Sequence, residues 1–143
     1  MGPYSLVRLM DRLPLDHVAI AVPSIESAAP LYERVTGAER SPVEVLDRQG
    51  VAVSFVGRLE LLEPRDPEGT VARFIDRNGP GLHHVAYRTP DIRAEMSRLE
   101  AEGFELIDRE PRRGASGHLV AFLHPRGTGK ILMELVEGDV SSR

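Results

Sequence analysis

The stretch "GLHHVAY" at residues 81–87 sets two histidines at the head of an otherwise apolar run, and "LDHVAIA" at residues 15–21 carries almost the same pattern. Placing His17 on His84 defines an offset of 67 residues, 84 minus 17, at which Pro23 also falls on Pro90 and Ile25 on Ile92. The chain therefore reads as a duplication. In both copies a short strand ("HVAIAV", "HVAYRT") runs into a proline, then a capping residue, Ser24 or Asp91, then an amphipathic segment ending near Gly37 or Gly103. Ile92, Met96 and Leu99 share one helical face, while Pro30 inside the first helix removes a backbone donor and predicts a kink or loosened first turns.

Beyond each helix the periodicity changes to two, in "VEVL", "VAVSFV" and "LELLE" of the first copy and "FELID", "HLVAFL" and "KILMELV" of the second. Gly57-Arg58 leaves room only for a tight hairpin. Each copy is thus strand, helix, three strands. The expected fold is α+β: two tandem βαβββ modules, residues 15–64 and 81–137. Between them, "PRDPEGTVARFIDRNGPG" holds a short connecting helix around Val71 to Arg77, stopped by Asn78 and Gly79. Residues 15–143 are read as a single domain preceded by an arm, 1–14, in which Leu6, Leu9, Met10 and Leu13 are spaced for one helical face.

Strand alternation decides which side chains share a surface. His17, Ala19 and Ala21 lie on one side of the first strand, and His84 with Ala86 on the matching side of its repeat. The bulky alternates must face the helices, so both imidazoles point to the opposite surface beside alanines that leave space. Glu60 between Leu59 and Leu61 is matched by Glu134 between Met133 and Leu135. A carboxylate inside an apolar strand is costly to bury unless paired or bound to a metal. Two imidazoles and two carboxylates in equivalent places therefore mark His17, Glu60, His84 and Glu134 as candidate ligands of one divalent ion such as Mn, Fe, Co, Ni or Zn, with two octahedral positions left for substrate or water. By the same alternation His83 faces the helices as a hydrogen-bonded residue. His118 and His124 are surface or loop-anchoring residues, and Glu63 is a solvated strand end. Arg88 shares the parity of His84 and either meets a substrate carboxylate or faces solvent.

Composition limits the partners. The 143 residues carry 18 Lys+Arg against 22 Asp+Glu, a formal charge of −4 without a basic stripe, so nucleic acid is not an expected partner. No cysteine is present, which excludes disulfides, thiolate metal sites and a cysteine nucleophile. No apolar run approaches the roughly 20 residues of a membrane span, and the expected compartment is the cytoplasm.

On these residues the chain resembles the vicinal-oxygen-chelate superfamily of glyoxalases, bleomycin-resistance proteins and dioxygenases, and within it the methylmalonyl-CoA epimerases. The matching stretches are "LDHVAIAVPSIESAAPLYERVTG", "LELLEP", "VARFIDRNGPGLHHVAYRTPDI", "EGFELIDREPRRGASG" and "VAFLHPRGTGKILMELVE". "NGPGLHH" and "AFLHP" separate it from most glyoxalases. The resemblance implies paired βαβββ modules forming a cupped, mixed β-sheet around a metal site, the metal commonly cobalt, with Mn2+, Ni2+ or Zn2+ as alternatives, and a homodimer. Carried over by position, the ligands are again His17, Glu60, His84 and Glu134. Two departures stand out. Val53 occupies the place where some members carry a glutamate proposed as a catalytic acid or base, and Glu60 stands where those members have glutamine. The hairpin before "LELLEP" also looks shorter than usual.

The activity so implied is a metal-dependent epimerisation of (R)- and (S)-methylmalonyl-CoA, by α-proton abstraction and reprotonation through a metal-stabilised enolate. Glu134 and Glu60 are the expected proton carriers on the two faces of the carbon. The expected partner is a small acyl-CoA; Arg112, Arg113, Arg126 and Lys130 either reach its phosphates from loops or are ordinary solvated surface charges. The rivals are a glyoxalase I-type lyase or isomerase acting on a thiol hemithioacetal, a dioxygenase, which would keep only one carboxylate, and a non-catalytic drug-binding resistance protein.

Overall fold

The structure, a computed structural model, describes residues 13–139. Of the proposed apolar face of the arm, Leu6, Leu9 and Met10 lie outside the described residues. Leu13 packs on the core beneath the second-copy helix.

Contacts divide the chain into two compact units, one of residues 17–84 and one of residues 85–139 with 13–16. In the first, β1 (Leu15–Ala21) leads to α1 (Ile25–Thr36), then β2 (Glu44–Leu46), β3 (Val51–Val56) and β4 (Leu59–Pro64), and α2 (Thr70–Asn78) follows. Its strands are ordered β2-β3-β4-β1, with β1 parallel to β4 and the other pairs antiparallel. In the second, β5 (Gly81–Thr89) leads to α3 (Ile92–Ala101), then β6 (Arg112–Arg113), β7 (Leu119–Leu123) and β8 (Met133–Glu137). Here the order is β5-β8-β7-β6, with β5 parallel to β8 and the others antiparallel. Each unit is thus the expected α+β arrangement of strand, helix and three strands in a mixed sheet. The connecting helix lies where the sequence placed it.

Helix boundaries follow their caps. Ser24 Oγ accepts from Ser27 N at 3.2 Å and Asp91 Oδ1 from Ala94 N at 3.1 Å. Gly37, at φ 77°, closes α1 in the left-handed region that glycine adopts without a Cβ clash. Pro30 does not divide α1, which runs unbroken from Ile25 to Thr36.

In each unit the helix covers one sheet face. Ile25 and Ala29 of α1 pack on Ala52, Val56 and Leu61, while Ile92, Met96 and Leu99 of α3 pack on Ala121, Leu123 and Leu135. Burying a side chain of this size is worth about 1.5–3 kcal/mol, enough to hold the alternation of every strand in register. The opposite faces carry the histidines and glutamates.

One strand differs. "FELID" makes a single bridge, Leu106 to Leu123, and the ladder partner of β7 is instead Arg112–Arg113. Asp108 explains the break: its Oδ2 accepts from Phe122 N at 2.8 Å and so occupies a donor that a continuing strand would need.

Candidate metal-binding active site

The first unit builds a cluster from three neighbouring elements. Ala19 of β1 lies opposite Glu60 of β4, which lies opposite Phe55 of β3, so these side chains share the face that carries His17. His17 is 5%, Glu60 6% and His84 6% exposed, although each is a polar side chain. His17 Nε2 lies 3.3 Å and His84 Nε2 3.7 Å from the same oxygen, Glu60 Oε1. The imidazoles meet edge-on with centroids 5.5 Å apart, and Phe55 closes the other flank of His17 at 5.6 Å.

Those separations suit a shared cation. Two donors each about 2.1 Å from one ion stand roughly 3.0 Å apart at right angles and about 3.4 Å apart at tetrahedral angles. Two imidazole nitrogens with a carboxylate oxygen are also a borderline donor set, appropriate to Co, Ni, Zn or Mn. The donor chemistry of these three side chains fits a divalent ion.

The second unit repeats the frame. Ala86 of β5 lies opposite Glu134 of β8, which lies opposite Phe122 of β7, the counterpart of the Ala19, Glu60 and Phe55 row. Glu134 is 7% exposed. His17, His84 and Glu134 are all buried and of types able to hold a metal ion. Val53, at the position of the glutamate proposed as acid or base in some relatives, is 1% exposed and pairs with Leu62 on one side and Glu44 on the other.

Several secondary expectations change. Glu63 is not a solvated strand end, because its Oε1 accepts from Ile25 N at 2.8 Å and caps α1. Glu137 does the same for α3, its Oε2 accepting from Ile92 N at 3.1 Å. Sequence reasoning missed both, although Glu63 and Glu137 obey the offset of 74 that relates Glu60 to Glu134. Arg88 does not stand free in solvent: its Nε bonds Asp16 Oδ1 at 2.7 Å, both side chains being 18% exposed. Among the loop cations, Arg112 lies over Phe122 and near Asp108, Arg113 donates to the Gly117 carbonyl, and Arg126 pairs with Glu105 at 2.7 Å. The Arg126 guanidinium holds the Glu105 carboxyl below its ordinary range. His124 anchors its loop, Nδ1 accepting from Arg126 N at 3.0 Å, and His118 is exposed, as expected. His83 is hydrogen-bonded and packs against Phe74 of α2, with His84 as its partner.

Comparison with known proteins places the chain in a family. The family model described as Glyoxalase/Bleomycin resistance protein/Dioxygenase superfamily matches residues 16–122. The ethylmalonyl-CoA/methylmalonyl-CoA epimerase of Cereibacter sphaeroides is 39% identical over 127 residues, 85% of this chain and 95% of the relative. The mitochondrial methylmalonyl-CoA epimerase of Homo sapiens is 37% identical over 126 residues, 85% of this chain and 72% of the relative. A solved Streptomyces coelicolor methylmalonyl-CoA epimerase variant, in complex with 2-nitronate-propionyl-CoA, is 32% identical at a TM-score of 0.84, covering 89% of this chain and 99% of that one. The chain belongs to the Glyoxalase/Bleomycin resistance protein/Dioxygenase superfamily, among relatives that are methylmalonyl-CoA epimerases and therefore isomerases.

Proposed function

We propose that this protein interconverts (R)- and (S)-methylmalonyl-CoA, using one divalent cation held by His17, Glu60, His84 and Glu134 and proton transfer through Glu60 and Glu134. The observation that carries the reading is the convergence of two buried imidazole nitrogens on one buried carboxylate oxygen, at 3.3 and 3.7 Å. Relatives named for this reaction at 37% and 39% identity support the choice of substrate.

The reacting carbon lies between a thioester carbonyl and a carboxylate. When bound, a cation would offer its open positions to those two oxygens and offset the negative charge that develops as the proton leaves. The protein's own part is to remove the proton from one face and return one to the other. Glu60 and Glu134 occupy equivalent rows of the two copies, each flanked by an alanine and a phenylalanine, and supply one carboxylate per face. Val53 offers no titrating group, so the second carrier is assigned to Glu60.

The same proposal makes the two units one working domain, the cation cobalt ahead of Mn2+, Ni2+ or Zn2+, the protein a homodimer and its compartment the cytoplasm. Among the described residues no helix is long and apolar enough to cross a membrane. The test is solvent exchange at the α-carbon: the metal-loaded protein should wash deuterium into methylmalonyl-CoA, and Glu134→Gln should abolish it. Retained exchange in that variant removes Glu134 from the proton path, while turnover of a thiol hemithioacetal instead of methylmalonyl-CoA returns the glyoxalase reading.

A further inference from the structure

Adjacent residues of a strand normally project to opposite faces, yet the rings of His83 and His84 meet. Their Nδ1 atoms are 2.8 Å apart, with centroids at 5.1 Å and planes at 76°. His83 is only partly buried, but Phe74 of α2 grips its ring edge-on at 4.9 Å. A contact of 2.8 Å between two ring nitrogens is a hydrogen bond, in which one nitrogen carries the proton and the other offers its lone pair. His84 Nε2, on the far side of its ring, lies 3.7 Å from Glu60 Oε1, beyond hydrogen-bond reach but within the span of two ligands on one ion.

We infer that His83 is a positioning residue for the metal site: its Nδ1 accepts a hydrogen bond from His84 Nδ1–H, which fixes the tautomer and ring plane that present the His84 Nε2 lone pair beside Glu60. His83 then carries its own proton on Nε2. The reverse polarity would put a proton on His84 Nε2 and so block it as a ligand. Partners of this kind on the non-ligating nitrogen are worth about 10–100-fold in metal affinity. The assignment rests on the metal reading above, and it extends the site from β5 to the connecting helix through Phe74.

His83→Phe keeps the ring against Phe74 and deletes the acceptor, whereas His83→Asn keeps an acceptor oxygen near the position of Nδ1. Zinc affinity should fall about tenfold or more in His83→Phe and stay within about threefold of the parent in His83→Asn. Nitrogen-15 imidazole spectra should show His84 protonated at Nδ1 in the parent and in His83→Asn, with that proton lost or rapidly exchanging in His83→Phe. Parental zinc affinity in His83→Phe, an equal loss in both variants, or a parent with His84 protonated at Nε2 overturns the inference. If the parent binds no divalent ion, the metal reading fails separately, and the tautomer spectra still decide the role of His83. Should His83→Phe not fold, the parent and His83→Asn spectra carry the test.

Discussion

Removing the carboxylates of Glu63 and Glu137 should destabilise the protein without touching its chemistry. Glu63 Oε1 accepts from the first helical amide of α1 at 2.8 Å, and Glu137 Oε2 from that of α3 at 3.1 Å. A hydrogen bond to a charged acceptor contributes about 1.5–3 kcal/mol, and a negative charge at a helix N-terminus about 0.3–1 kcal/mol. The Glu63 side chain is 23% exposed, so water replaces part of the lost bond, and Ser24 and Asp91 keep capping the next amides. Glu63→Ala should therefore cost about 1.5 kcal/mol, and Glu137→Ala, with the longer bond, about 1 kcal/mol. For 143 residues the unfolding entropy is about 0.3 kcal/mol/K, which makes these losses roughly 5 and 3 °C in Tm. The Gln variants, which keep the shape and lose the charge, should lose about half as much. Since the two carboxylates serve different helices, the double variant should be additive to within about 0.5 kcal/mol. Denaturant melts and calorimetry measure this, with epimerase turnover as the control. Losses below about 0.3 kcal/mol for both alanine variants would refute the reasoning, because the carboxylates would then be solvated strand ends after all.

Glu60→Leu should raise the melting temperature of chelator-treated protein, since replacing a buried charge by an apolar group often stabilises by about 1–4 kcal/mol. The same variant should lose the stabilisation that the proposed divalent cation is expected to give the parent, about 2.7 kcal/mol at a hundredfold excess over Kd. A cation-dependent shift surviving in Glu60→Leu would remove Glu60 from the ligand set. Ala86→Leu adds bulk to a fully buried position beside Glu134, packed against Val120 and Val136, and should cost about 1–3 kcal/mol, read by urea melts. The Arg40 guanidinium beside Glu33 depresses that carboxyl below its ordinary value of 4.5. A depressed folded-state pKa contributes stability that is present above the unfolded value and lost as pH falls through the folded one. Glu33→Gln should thus matter least below pH 4.5 and flatten the acid limb of the stability curve, measured by melts between about pH 3 and 7.

Much of this architecture was legible in the order of residues. The duplication fixed by His17 and His84 predicted two copies of one supersecondary unit, and Ser24, Gly37 and Asp91 announced where helices begin and end. Strand alternation put Ala19 on the face of His17 and Ala86 on that of His84, and the pairing registers add Glu60 and Glu134 to those rows. These features are local: a side chain's face on a strand, or a cap's bond to an amide three residues on, depends on neighbours in sequence. What only the tertiary structure decided involves partners far apart in the chain. Glu63 finds an amide 38 residues away, so it became a cap where an isolated strand suggested a solvated end, and Glu137 does the same with an amide 45 residues away. "FELID" has the period of a strand, but the Asp108 carboxylate takes the Phe122 amide and the ladder passes to Arg112 and Arg113. His83 shows the limit most clearly, because alternation assigns it to the helix side while Phe74, brought over by α2, holds its ring where Nδ1 meets His84. Periodicity determines which way a side chain sets out from the backbone; the donor, acceptor or ring that it meets is chosen by packing between segments remote in sequence.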